Sequence, residues 1–190
     1  MDAAIRFVLC VLIFWLPYST AVIEICVILA SLLWLVKRTS LFINQLKSSP
    51  PASFGKLFLK SFRPISTLLD KPICIFLVVT FAAALFNSDW NHSITAWFNK
   101  IVEWFVIFYL FAEAFQTIKQ IKLALMVWAV TAAATAVDAF LQTYVTGRDI
   151  FMGHPISSEG ATACFKHNNS LGAYLAVFVP VITFATFASA

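Results

Sequence analysis

The sequence predicts an all-α protein: a polytopic helical bundle, integral to a membrane, with about six transmembrane segments. Of its 190 residues, 61% are hydrophobic, 20 are Phe and only 12% are charged. A chain of this composition has more apolar surface than a soluble core can bury. Its apolar runs approach the roughly 20 residues that cross a hydrocarbon core, and its basic residues are concentrated in one loop. These three observations predict a single membrane domain over residues 1–190.

The first apolar region, residues 7–36, is too long for one untilted span and predicts two short segments. Pro17 lacks the amide hydrogen that a helix needs and favours a break. We therefore place spans at 7–16 and 21–36. A secretory signal is the alternative, because Arg6, an apolar run and the small residues after Pro17 imitate its three regions. The apolar run resumes at once after the supposed cleavage site, which favours two spans.

Four further spans are predicted downstream, at residues 72–86, 101–115, 123–145 and 171–190. Each is a mostly apolar run bounded by polar or charged residues. With the first two segments they make six.

The loop between the second and third spans, residues 37–71, contains seven of the thirteen Lys and Arg residues and one acid, Asp70. The positive-inside rule places such a loop in the cytoplasm. Within it, residues 54–63 put Phe side chains on one helical face and basic side chains on another. This pattern predicts a helix along the inner leaflet, against anionic membrane lipids; the alternative is an anchoring loop without a specific ligand. Counting spans from here places the loop 146–170 on the outer side.

Ionisable residues within spans are costly in lipid and usually face a bundle interior or a wet cavity. Glu24, Glu103 and Asp138 each lie toward the outer end of a predicted span. Gln142 follows Asp138 by four residues, so both side chains project from the same helix face. The structural alternative is that these groups only hold helices together by hydrogen bonds. Glu113, near the inner boundary, is interpreted as solvated.

The outer loop ends in a polar group at the start of the last span: Lys166, His167, Asn168 and Asn169. A helix start has free N–H groups and a positive dipole end, which favour an anion. Arg148, earlier in the loop, adds a cation, and we expect the hydroxyl of Tyr174 to reach a wet interior. The alternative is that Asn169 is only a helix cap and Lys166 only an anchor at the lipid surface.

The cysteines and the net charge exclude other classes of site. The four cysteines form no CxxC and have no ligand-like spacing with the histidines, so neither a disulfide framework nor a metal site is predicted. A net charge of +4 would suit nucleic acid in a soluble protein. In this chain the grouping of the basic residues in one loop indicates the orientation of the protein in the membrane instead, and no nucleic-acid partner is expected.

Residues 138–180 resemble the signature region of the O-antigen ligase and O-antigen polymerase superfamily. The matching stretches are DAFLQTYVTGRDIFMGHP, residues 138–155, and FKHNNSLGAYLAVFVP, residues 165–180. Family members typically have Asp and Gln near the end of a span, a tGxD loop element, and F-x-x-x-N-x-L-G-x-Y-L-A leading into the next span. This chain has these residues in the same order: Asp138, Gln142, Gly147, Asp149, Phe165, Asn169, Leu171, Gly172, Tyr174, Leu175 and Ala176.

The chain also departs from that pattern. Where the family usually has R-x-T-G-x-F, this chain has GATACF, with Gly160 and Ala163 at the Arg and Gly positions. Asn168 stands where the family often has Pro. The missing Arg leaves Arg148 or Lys166 to contact a phosphate. Family members are longer, with a large outer loop downstream whose His and Arg residues are assigned to catalysis. The resemblance therefore implies the N-terminal part of a larger bundle, inactive alone, whose catalytic residues are unknown.

The resemblance implies transfer of a glycan from a polyprenyl-pyrophosphate carrier, on the outer face of a bacterial inner membrane, without a metal or nucleotide cofactor. The acceptor would be a lipid A-core sugar for a ligase or the growing glycan for a polymerase. The substrate-binding candidates are Asp138, Gln142, Arg148, Lys166, His167, Asn169 and Tyr174. Such a site needs cations for the leaving pyrophosphate and a base near the acceptor hydroxyl.

The alternative from another functional class is a membrane transporter or lipid flippase. Its acids near the middle of the bilayer would couple transport to ions. We expect such a protein to have broken helices at the bilayer centre and two related halves. Neither feature is visible in the sequence.

Overall fold

The computed structural model describes residues 1–48, 54–156, 160–165 and 167–187. Within these ranges the chain forms helices and no strand, apart from one isolated β-bridge between Arg148 and Pro155. The predicted all-α class is therefore confirmed for the described residues. The α-helices are α1 (Asp2–Trp15), α2 (Thr20–Ser48), α3 (Phe54–Phe62), α4 (Asp70–Leu85), α5 (Trp90–Ala96), α6 (Glu103–Ala114), α7 (Ile118–Leu141) and α8 (Asn168–Phe187). Two π-helical turns, Trp97–Val102 and Gln142–Thr146, continue α5 and α7.

The chain divides into two compact units. Unit 1 consists of Met1–Leu9 and Ile25–Ile118, and unit 2 consists of Cys10–Glu24 and Lys119–Ala190. Because the boundaries fall within α1 and α2, both of these helices contribute residues to each unit.

Among the described residues, three helical stretches are long and apolar enough to cross a membrane: Thr20–Lys47, Trp90–Ala114 and Ile118–Thr146. At most 22% of the most apolar window of each stretch is buried inside the protein. Apolar surface on this scale marks a chain that contacts lipid or other apolar partners. The composition and these helices together indicate a membrane protein.

The predicted loop over residues 37–71 requires correction. Helix α2 continues to Ser48, because neither Gly nor Pro interrupts the sequence between Thr20 and that residue. Helix α3 also lies within this stretch, where the amphipathic pattern predicts a helix. Its aromatic face packs against α2: the ring of Phe42 lies 5.4 Å from that of Phe54 and 5.9 Å from that of Phe58. This face therefore has a protein partner in addition to any lipid.

A helix lies at each of the six predicted spans, with residues 188–190 of the last outside the described residues, but six membrane crossings stay a prediction. The helical stretch at the span predicted for 101–115 begins earlier. The carboxylate of Asp89 accepts a hydrogen bond from the His92 amide and caps α5. From there α5, the π-helical turn and α6 follow one another without a break to Ala114. Within the π-helical turn, the indole of Trp97 donates a 3.0 Å hydrogen bond to Thr80 of α4. The absence of Gly and Pro from this stretch explains the longer helix.

Candidate functional site

The candidate site lies in unit 2, where α7 ends. The side chains of Asp138 and Gln142, one helical turn apart, are both buried, with 1% and 0% of their surfaces exposed. After the π-helical turn, Gly147 adopts a left-handed φ of 67°, which glycine adopts without steric cost. The chain therefore reverses direction and folds back over the buried face of α7.

Gln142 fixes the returning loop by bonding to its main chain. Its Oε1 accepts hydrogen bonds from the amides of Thr162 and Ala163, both at 2.9 Å. Its Nε2 donates to the carbonyl of His154 at 3.1 Å and to the hydroxyl of Thr162 at 3.2 Å. Both ends of this buried amide are thus satisfied, as burial requires. Gln142 holds two separate parts of the loop together.

Only one of the two carboxylate oxygens of Asp138 has a hydrogen-bond partner. Its Oδ1 accepts a 2.8 Å hydrogen bond from the amide of Ile150, whereas its Oδ2 is buried without a hydrogen-bond partner. A buried polar atom without a partner is costly, and a charged one more so. Among the described polar groups of unit 2, this carboxylate is therefore a candidate for binding a further donor.

Asp149 shapes the turn that carries the loop away from α7. Its buried carboxylate accepts hydrogen bonds from the amides of Met152, Gly153 and His154. Two main-chain bonds close the same turn: Asp149 to the His154 carbonyl at 3.0 Å, and Ile156 to the Gly147 carbonyl at 2.9 Å. The ring Nδ1 of His154 lies 3.6 Å from the Asp149 carboxylate. The turn over residues 147–156 is consequently a defined structure.

An apolar cluster of Tyr18, Ala163, Cys164 and Leu171 buries the other side of the loop. The ring of Phe151 packs on that of Tyr18 at 4.6 Å, and the Tyr18 hydroxyl lies 3.5 Å from the Thr135 hydroxyl. Burial raises the pKa of the Tyr18 hydroxyl, and it raises the pKa of the Cys164 thiol to about 12. Both groups are therefore protonated near neutral pH.

The remaining predicted site residues have different surroundings. Arg148 is exposed on the turn, and His167 and Asn169 are exposed at the start of α8. Tyr174 is half-buried; its hydroxyl is buried and has no partner of good hydrogen-bond geometry, with Trp128 beside it. Lys166 lies outside the described residues. The structure thus brings Asp138 and Gln142 together with the loop.

The predicted loop boundary at α8 also changes. The helix begins at Asn168, so the last residues of the predicted loop 146–170 are helical. At this helix start the side chain of Asn168 accepts from the amide of Asn169 at 2.8 Å. The carbonyl of His167 accepts from the amides of Ser170 and Leu171. The hydrogen bonds described at this helix start therefore use Asn168 and His167 as acceptors, and the role of Asn169 stays a prediction.

Unit 1 contains a polar cluster that the sequence interpretation missed. Glu113 is not simply solvated: its carboxylate accepts from the Trp34 indole at 2.7 Å, the Lys37 ammonium at 2.9 Å and the Arg38 guanidinium at 2.6 Å. Lys37 also pairs with Asp2 at 2.7 Å. The three donors recur at helical spacing on one face of α2. This spacing of donor side chains in the sequence could have indicated that α2 binds a carboxylate.

The described residues contain no group of three His, Cys, Asp or Glu side chains placed to hold a metal ion. No family model, no curated protein and no solved structure matches this chain.

Proposed function

We propose that this chain belongs to a membrane glycan transferase of the O-antigen ligase kind. In this proposal it contributes to moving a glycan from a polyprenyl-pyrophosphate carrier to a lipid A-core or glycan acceptor, on the outer face of a bacterial inner membrane. The observation that carries the proposal is the bonded loop, of which the structure describes residues 147–156 and 160–165. Gln142, Asp138 and Asp149 hold its main chain, and it carries the exposed side chains of Arg148 and His154.

A loop held by several main-chain hydrogen bonds and carrying exposed basic groups suits a pyrophosphate ligand. Preorganised donors stabilise charge better than mobile ones, because they need no reorganisation when the charge develops. The pairing of Arg148 with Pro155 and of Asp149 with His154 places the two exposed side chains on opposite arms of one turn. Arg148 presents a planar fork of donors that matches phosphate oxygens.

The backbone at Ala163 also supports the resemblance. Its φ is 46°, in the left-handed region that favours glycine, and the family pattern has glycine at this position. Gly160 differs: its φ of 124° is one that residues with side chains rarely adopt. An Arg at position 160, as in the family pattern, would need another local backbone. In our proposal Arg148 binds the phosphate in place of the Arg of the family pattern.

The test replaces Arg148 and His154 by Ala in the chromosomal gene. Lys119→Ala is the matched control, because Lys119 is an exposed cation at the opposite end of α7. We expect both loop variants to lower glycan transfer to the acceptor sharply at normal protein abundance, and the control to leave it unchanged. Normal transfer in both loop variants would refute the proposed site.

The carrier-linked glycan in the same strains separates the candidate activities. Loss of a ligase leaves long glycans on the carrier, whereas loss of a polymerase leaves single repeat units. Loss of a transporter or flippase leaves the carrier-linked glycan on the inner face, out of reach of a glycosidase added to spheroplasts. We expect the two loop variants to accumulate long carrier-linked glycans that the added glycosidase can remove.

The proposed topology has its own test. We propose six spans, with the end of α2 inside and the start of α8 outside. Single cysteines at Asn44 and Ser170, both exposed positions, would be probed in whole cells with a thiol reagent that does not cross the inner membrane. We expect labelling at position 170 alone; labelling at position 44 alone would reverse the orientation.

A further inference from the structure

Unit 1 contains an apolar cavity of 480 Å³ that the proposed glycan transfer does not use. Its volume falls within the range of about 300–1,000 Å³ that is usual for ligand pockets. One helical face, from Val102 at the end of the π-helical turn to Glu113 of α6, forms a wall, and Trp34 of α2, Leu77 of α4 and Pro64 complete it. Nearly all of the lining is apolar, so the cavity suits a hydrocarbon chain.

The length of the cavity matches one leaflet of a bilayer. The wall from Val102 to Glu113 covers eleven residue steps, or about 16 Å at the helical rise of 1.5 Å per residue. The hydrocarbon core of a bilayer is about 30 Å thick, so the cavity is about as long as one leaflet is deep. A lipid chain that enters at one end would therefore reach the middle of the membrane.

Charged and polar groups define one end of the cavity. There Glu113 is bonded to Lys37 and Arg38, and the Arg38 guanidinium lies 5.2 Å from the centre of the Trp34 ring. The Tyr109 hydroxyl, on the same wall, donates a 3.1 Å hydrogen bond to Asp70 at the start of α4. In a membrane protein, charged and polar groups of this kind favour the level of the lipid headgroups.

The charges at this end favour an anionic headgroup. The acids Glu113 and Asp2 pair with Lys37 and Arg38 of α2. Asp70 adds a third acid at this end, and with Arg63 and Lys71 the four cations exceed the three acids by one. The exposed Arg63 and Lys71 remain: Arg63 precedes Pro64 of the cavity lining, and Lys71 follows Asp70. Basic residues next to a bilayer attract anionic lipids.

We propose that this cavity holds one acyl chain of an anionic glycerophospholipid, whose phosphate lies beside Arg63 and Lys71. The lipid fills the space between α2, α4 and α6 in unit 1. This proposal requires that unit 1 lies in a membrane and is independent of the proposed glycan transfer.

Native mass spectrometry of the purified chain in detergent tests the proposal with two lipids that share their acyl chains, phosphatidylglycerol and phosphatidylcholine. We expect one phosphatidylglycerol to be retained in preference to phosphatidylcholine. Replacing both Arg63 and Lys71 by Ala should remove this preference, at about fivefold per cation. Equal retention of the two lipids by the unsubstituted chain would contradict the choice of an anionic lipid.

Filling the cavity tests its part in binding. Val106→Trp places a large ring in the lining, and Val78→Trp places the same ring beside Leu77 at an exposed position outside it. We expect Val106→Trp to lose phosphatidylglycerol and Val78→Trp to keep it. Leu77→Phe adds less volume and replaces Val106→Trp if the helical circular dichroism of that variant is lost. Equal retention by a folded cavity variant and by Val78→Trp would overturn the proposal.

Discussion

Glu113 in unit 1 is a half-buried carboxylate and Asp138 in unit 2 a buried one, and the partners of these two carboxylates differ. In unit 1, Glu113 accepts from three side chains, two of them charged. In unit 2, Asp138 accepts from one main-chain amide, and its second oxygen has no partner. Glu113 is therefore compensated as an anion, and Asp138 is not.

This difference indicates two uses of polar groups in one apolar chain. Glu113 links α2 to α6, so its bonds fix helix packing within unit 1. Asp138 and Gln142 bond to the main chain of a loop and fix its shape. A polar residue on a helix face thus predicts that a partner is needed, and the surrounding chain decides whether that partner is another helix or a loop.

The largest effect is expected for Glu113→Ala, because it leaves the charges of Lys37 and Arg38 without their shared partner. Breaking a buried ion pair costs about 3–5 kcal/mol. We expect about 3 kcal/mol of unfolding free energy to be lost, since these side chains retain some exposure. Thermal unfolding in detergent micelles measures the change, and Glu103→Ala, on the same helix, is the control. Equal losses in the two variants would show that the cluster contributes little.

Gln142→Leu replaces the amide by an apolar side chain and removes its hydrogen bonds. The amides of Thr162 and Ala163 then lose their acceptor, and one buried unsatisfied group costs about 1–3 kcal/mol. We expect a loss of about 2 kcal/mol in unfolding free energy, because the loop can open and let water reach both amides. The opening should also accelerate cleavage by chymotrypsin after Phe151. Gln142→Glu keeps the acceptor oxygen, so its cleavage should remain slower than that of Gln142→Leu.

A smaller effect is expected for Asp138→Asn. The amide oxygen of Asn can still accept from Ile150, and the unpartnered Oδ2 gives up no bond. We expect a change below about 1 kcal/mol, in either direction, in the unfolding free energy. Asp138→Ala, which removes the acceptor, should be clearly less stable than Asp138→Asn. If Asp138→Asn were as unstable as Glu113→Ala, the two carboxylates would be equivalent and our comparison would be wrong.

Much of the helical architecture could be predicted from the sequence. Composition and apolar runs located a helix at each predicted span, and the four-residue spacing placed Asp138 and Gln142 on one face. Helix ends were less predictable, because α2 continues through Lys37 and Arg38, which have partners that compensate their charges. The rule that charged residues end a span assumes that such residues face lipid or water.

The candidate site could be predicted only in part, because its bonds join distant residues. Gln142 bonds to amides 20 and 21 residues away, and Glu113 bonds to side chains 75 to 79 residues away. Local periodicity shows that such a residue is buried but does not identify its partner. The left-handed backbone at Ala163 likewise depends on the bond from Gln142, since no local pattern favours that conformation for Ala.

The smallest effect concerns reactivity at Cys164, which reports whether the loop is closed. Thiolate is the reactive form, so a pKa of about 12 leaves roughly one thiol in ten thousand ionised at pH 8. In a chain whose other cysteines are replaced by Ala, we expect maleimide labelling at Cys164 to be slow and to rise about tenfold per pH unit from pH 7 to 9. In the control chain Cys164 is replaced by Ala and Ser170 by Cys. The labelling rate of this exposed thiol should be high and should level off above pH 8.5, near the ordinary thiol pKa. Adding Gln142→Leu should accelerate labelling at Cys164 and leave the control unchanged. Fast labelling at Cys164 with Gln142 intact would show that the loop is open in solution, and the contrast between the two units would not hold.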